Sequence, residues 1–293
     1  MALVQLARCV RPRLHRRRDP HLRVPAGGIV TTTQASAAAQ PSTAAAPLGT
    51  GSQASRVLGV VVLVAMAVLL WLAFVASPRD AIQGDLVRLL YLHPALAWTA
   101  YLACFIATGA SIQHLRKRTV GSDLLAHSAV ELGAVMTLLT LVTGAIWGRP
   151  TWGVYWVWDA RLTSTAILFL MLLGYLALHR IDAAPEVRSR RAAVLGVLLV
   201  PNVILVHQSV QWWRTLHQDP TLLDRNFDFG TSDLLMFTMV FGFVAISLLF
   251  VWLLLHRFRV AWLEHQVESA WLDDAIEARR AEALAESREA GAR

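Results

Sequence analysis

Six apolar stretches, at 57–76, 94–113, 123–147, 162–178, 192–212 and 232–255, run through this 293-residue chain. Each approaches the roughly 20 residues that a helix needs to cross a ~30 Å hydrocarbon core. A bilayer interior offers no water to an unpaired backbone group, so spanning segments of this length must be helical. The expected fold is therefore an all-α integral membrane protein with six transmembrane helices. Composition agrees, since 56% of residues are hydrophobic and only 16% charged, which excludes an ordinary soluble domain. Pro201 and Asn202 interrupt the fifth run, an interruption that neighbouring helices or a cavity can accommodate.

Basic residues set the expected orientation. Arg116, Lys117 and Arg118 follow the second run, Arg180, Arg188, Arg190 and Arg191 the fourth, and Arg257 with Arg259 the sixth. Seven arginines lie among residues 8–23. By the positive-inside bias, both termini and these loops face the cytoplasm of a bacterium, and the opposite loops face outward across its inner membrane. Three regions are expected: a disordered basic cytoplasmic leader at 1–55, a six-helix membrane domain at 56–258, and a cytoplasmic amphipathic, charged tail helix at 259–293. The net charge of +7 is assigned to orientation and attraction to the lipid bilayer, with no nucleic-acid partner. Cys9 and Cys104 fall too far apart in depth to bridge.

Between the third and fourth runs, Trp147, Trp152, Tyr155, Trp156 and Trp158 crowd into a segment that ends on Asp159 and Arg161. Tryptophan gathers at membrane interfaces, and it also offers a flat apolar face to a planar ligand. Gly148, Pro150 and Gly153 punctuate the segment as expected for a shaped outward loop, with a local Asp159–Arg161 ion pair helping to hold it.

Depth sorts the ten histidines. Seven fall at or beyond the cytoplasmic ends, where His127 and Glu131 read as an interfacial pair. His93, His207 and His217 belong to the outer half. Pro94 favours a helix start at this point and places His93 at the mouth of the second span, with His207 at similar depth near the end of the fifth. Single histidines at such positions are commonly interfacial. As a pair on separate helices beside an aromatic loop, His93 and His207 can supply the two axial nitrogens of a haem iron, with Arg149, Arg161 or Arg214 available to its propionates. His217 lies past the Trp212-Trp213 pair and is expected outside the ligand set.

The segment from Trp147 to Ser164 closely resembles the WWD signature of haem-handling proteins, in the form found in the CcmC family of cytochrome c maturation. Tyr91-Leu-His-Pro-Ala-Leu-Ala-Trp98 resembles that family's first histidine motif, and the stretch from Val206 to Gln218 its second. Tyr155 stands where the family usually has Trp, Pro94 comes one place early, and Thr165 replaces a frequent Glu. The related CcmF and CcsA proteins continue the signature differently, as Trp-Asp-Pro. The resemblance implies a permease-like subunit of a haem ABC transporter complex, without an active site of its own. Such a subunit holds non-covalent haem b transiently at the outer face and passes it to the chaperone CcmE, alongside the ATPase CcmA, CcmB and CcmD. It further implies axial ligation by His93 and His207 and a platform of Trp147, Trp152, Trp156, Trp158 and Asp159; Tyr155, which preserves an aromatic face, and Arg161 are counted with them as cofactor-binding residues.

Two other classes remain open on sequence. A b-type electron-transfer cytochrome would turn over reversibly with a quinone and fail to transfer haem. A non-haem transporter or structural subunit, whose aromatic loop docks a partner, would carry no haem absorbance.

Overall fold

The computed structural model describes residues 52–80, 83–217 and 233–291; the leader expected at 1–55 falls almost wholly outside them. Among the described residues, six helical segments are long and apolar enough to cross a membrane, as the sequence implies. Helix α1 (Gln53–Trp71) starts on a Ser52 cap and widens into a π turn at Leu72–Ala76. A 3-10 turn (Asp85–Tyr91) leads into α2 (His93–Lys117), with Pro94 in its first turn. Proline is suited to that place because the amide there has no intrahelical acceptor to lose. Helices α3 (Val120–Trp152) and α4 (Ala160–Leu178) follow, then α5 (Pro185–Val197), α6 (Leu199–Trp212) and α7 (Asp233–Gly291).

Small side chains let α2 and α3 approach closely. Ala103, Ala107 and Ala110 of α2 and Ala126 and Ala129 of α3 are buried in one cluster with Leu168, Leu172 and Tyr175 of α4. A Cβ added at Gly133 would stand 3.1 Å from that of Ala103. Apolar lipid gives helices little hydrophobic reason to associate, so close backbone approach through small residues supplies the packing. A second cluster joins α1, the 3-10 turn, α2 and α7 around Leu69, Val87, Tyr91, Leu96 and Met239. The Tyr91 hydroxyl, in the buried interior, bonds Ser77. These contacts anchor the turn that delivers His93.

Three element boundaries differ from the sequence expectation. Helix α3 does not stop at Trp147 but carries the first part of the tryptophan-rich segment in its last turns. Pro150 withdraws one amide from the ladder, a small loss so near the end. Gly153, at φ 81°, then ends the helix in the left-handed conformation that glycine adopts without strain. The fifth span is two helices, because the ring of Pro201 conflicts with the carbonyl four residues back, at Val197, where α5 ends. Finally, the sixth span and the tail are one helix of 59 residues. No glycine or proline occurs between Gly242 and Gly291, so nothing in the sequence breaks it at 258/259.

At the end of the bundle remote from the tryptophan-rich segment at 147–158, the His127–Glu131 pair belongs to a larger polar junction. Arg257 of α7 grips Glu131 of α3 through both Nε and Nη2, the latter at 3.0 Å. His127 Nε2 lies 3.4 Å from Glu131, and His179 Nε2 lies 3.6 Å from Asp123. The His127 and His179 rings are 4.7 Å apart.

Candidate functional site

The start of α2, the end of α3, the start of α4 and the residues after α6 meet at one end of the bundle. His93 opens α2, with its Nδ1 3.0 Å from Thr143 Oγ1 on α3. One residue on, Gly144 backs the ring so closely that an added Cβ would lie 3.0 Å from His93 Cε1. One turn further along α3, Trp147 meets the imidazole edge to face at 5.8 Å. Trp147 is itself fixed by donating Nε1–H to Gln83 Oε1 at 3.0 Å.

A second imidazole is held in the same manner. His217 was expected outside the ligand set, yet its ring packs edge to face on Trp152 at 4.8 Å, and its Nδ1 lies 3.1 Å from Asp159 Oδ2. Asp159 Oδ1 accepts the Leu162 amide at 2.7 Å and caps α4. One carboxylate thus starts a helix and orients a histidine. His217 also lies within electrostatic reach of His93. Burial pushes His217 below the ordinary imidazole value of 6.5, against the opposing pull of Asp159. Burial thus favours the neutral ring, and a hydrogen on Nδ1 toward Asp159 would leave the lone pair on Nε2.

The remaining expected residues arrange around these two rings. Arg161 Nη2 donates to the His207 carbonyl oxygen at 3.5 Å, so it ties α4 to α6. The half-buried His207 stands on α6 more than a turn before its end at Trp212. Arg149 bonds the Gly153 carbonyl and lies 5.6 Å over the Tyr155 ring, which braces the turn after α3. Trp156 and Trp158 meet edge to face at 5.4 Å. Trp158 is 79% exposed and Tyr155 63%, with Trp212 and Trp213 also exposed. The aromatic segment is thus divided: Trp147 and Trp152 seat histidines, while Tyr155 and Trp158 form an open apolar rim.

Sequence reasoning placed His217 in the outer half but did not foresee its contact with Asp159. The tract after α6 leaves the helix in an extended conformation at Trp213, and this exit carries His217 back to Asp159. The available signal was Asp159 itself, an acidic residue at depth beside a third outward histidine. Chemically, the arrangement offers two imidazoles, each engaged at Nδ1, beside exposed aromatic faces. That donor set suits a planar macrocycle whose metal needs two further nitrogens.

Comparison with known proteins shows the family to which the chain belongs. The sequence matches the CcmC family, described as Heme exporter protein C, over residues 36–273. It is 39% identical over 183 residues to Heme exporter protein C of Bradyrhizobium diazoefficiens, covering 62% of this chain and 69% of that protein. Heme exporter protein C of Escherichia coli K12 is 36% identical over 172 residues, 58% and 69% of the two chains. An Arabidopsis thaliana protein named as a putative cytochrome c biosynthesis ccmC-like mitochondrial protein is 39% identical over 177 residues, 58% of this chain and 62% of that one.

Proposed function

The chain belongs to the CcmC family, and on that premise we propose that it is a haem-handling membrane subunit of cytochrome c maturation. It holds haem b non-covalently at the outer membrane face and passes it to the chaperone CcmE. One observation carries this reading: two neighbouring imidazoles, His93 and His217, are each oriented through Nδ1 and each seated on a tryptophan. A histidine metal ligand characteristically donates its other ring hydrogen to a fixed acceptor, which sets the tautomer and the ring plane. Both rings meet that description. The geometry therefore favours His93 and His217 as the axial pair over His93 and His207.

Family membership supports the assignment of CcmA, CcmB and CcmD as companions, and the basic loops support the outward placement of the site. The exposed rim of Tyr155, Trp158, Trp212 and Trp213 offers the apolar surface against which a porphyrin or a docking chaperone would lie. Haem is cargo in this reading, and the bond to cytochrome is made elsewhere. The subunit's work is binding, orientation and release.

Visible spectroscopy of detergent-purified protein tests the ligands. His93→Ala and His217→Ala should each convert a low-spin bis-histidine spectrum to a high-spin one, whereas His207→Ala should leave it nearly unchanged. The reverse result for His207 and His217 restores the pair expected from sequence. Unchanged spectra in all three variants would sink axial ligation by any of them. Haem-dependent co-purification with CcmE, lost in His93→Ala, tests the transfer step.

A further inference from the structure

The two candidate ligands lean on unequal partners. Thr143 Oγ1 lies 2.7 Å from the Leu139 carbonyl oxygen and 3.2 Å from that of Thr140, so its single hydrogen is committed to the helix backbone. Toward His93 Nδ1 that hydroxyl acts only as an acceptor. His93 must then carry its hydrogen on Nδ1 and leave a bare lone pair on Nε2. At His217 the acceptor is a carboxylate, with a side chain only 6% exposed and its other oxygen held by the Leu162 amide. A buried carboxylate draws an imidazole hydrogen more strongly than a neutral hydroxyl does, and it raises the basicity of the opposite nitrogen.

We propose that Thr143 and Asp159 grade the two histidines, making His217 the retained ligand of haem iron and His93 the one exchanged when haem leaves. The inference rests on the haem-holding reading above and assigns a direction to that site. Release then begins with a substitution at iron and is complete when the His217 Nε2 bond breaks in turn, its lone pair staying on that imidazole. The bond from His93 Nε2 breaks and its lone pair stays on the imidazole, while a donor lone pair of the acceptor takes the vacated position. No electron is gained or lost, and the Nδ1 hydrogen remains bonded to Thr143. The surroundings of the rings fit this division. His93 stands in the first turn of α2 facing neutral acceptors, the Thr143 hydroxyl and the Thr140 carbonyl, whereas His217 is bound to the carboxylate that caps α4.

Haem release from the full-length, haem-loaded protein to apomyoglobin tests the order. His217→Ala should lose haem about 10-fold faster than His93→Ala, and Asp159→Asn should accelerate release about 10- to 100-fold relative to the unmodified chain. Asparagine is itself a strong helix cap, so this variant keeps the start of α4. Resonance Raman spectra of the five-coordinate ferrous variants separate a ligand effect from a structural one. In His93→Ala, the iron–histidine stretch should fall when Asp159 is also changed to Asn. In His217→Ala it should be lower from the outset, insensitive to Asp159→Asn, altered by Thr143→Val and restored by Thr143→Ser. Equal release from the two alanine variants, or faster release from His93→Ala, overturns the grading. Unchanged visible spectra in both alanine variants instead overturn the ligand assignment, so the two failures are distinguishable.

Discussion

His217 and His179 sit at opposite ends of the bundle and share one electrostatic property. Burial lowers the proton affinity of both. His179 is pushed down from 6.5 to about 4, chiefly by burial and then by His127, Arg188 and His114, with Glu131 opposing. His217 is lowered by burial against Asp159. An imidazole in the unfolded chain takes up its proton near its ordinary value, and these two take it up only at lower pH. Between those values the unfolded state binds more protons, so stability rises with pH and is lost on acidification. Thermal unfolding in detergent should give a Tm that falls as pH drops from 6.5 toward 4. The fall should be smaller in His179→Gln, and an identical profile in that variant would remove His179 as a contributor.

At the scale of elements, the decisive contact for His93 is one that α7 makes with the turn preceding it. A Cβ at Gly242 would run into the Tyr91 carbonyl oxygen, a backbone atom that cannot swing aside. Gly242→Ala should therefore cost about 1–3 kcal/mol by overpacking, displace the 3-10 turn and lower haem occupancy. Circular dichroism with haem titration checks both effects, and full occupancy in a stable variant would show that the turn tolerates the shift. The same element shows why part of the site escaped sequence reasoning. Pro94 announces the start of α2, and a short-range rule suffices for that. Nothing local announces that α3 continues through Pro150, because proline is tolerated where few ladder bonds remain. The return of His217 to Asp159 is a tertiary contact across 58 residues, beyond the reach of any periodicity.

Over the whole molecule, hydrophobic length alone made the six spans legible, because the bilayer fixes the period of the chain. The junction of span and tail was not legible in the same way. A fall in hydropathy at 256–259 looks like an element boundary, yet helix propensity is indifferent to which solvent surrounds the helix. Alanine, glutamate, leucine and arginine carry α7 onward as readily as leucine and phenylalanine did. At 1.5 Å per residue, its 59 residues reach about 88 Å, far beyond a ~30 Å hydrocarbon core. Beyond Glu264 its side chains are nearly all exposed. Truncation after Gln266 should therefore change the Tm by less than about 2 °C, given how little surface it uncovers, and leave the haem spectrum intact. A spectrum lost on truncation would place the tail in the haem site.

Asp159 links these scales, since one carboxylate both begins α4 and grips His217. The two bonds share a rigid three-atom group, so α4 and the imidazole are geared together. Sliding α4 by a single residue rise, about 1.5 Å, would pull a 3.1 Å contact past hydrogen-bonding range. A push on the far end of α4, beside Asp123 and His179, would thereby loosen the hold on His217 roughly 28 Å away along the helix axis.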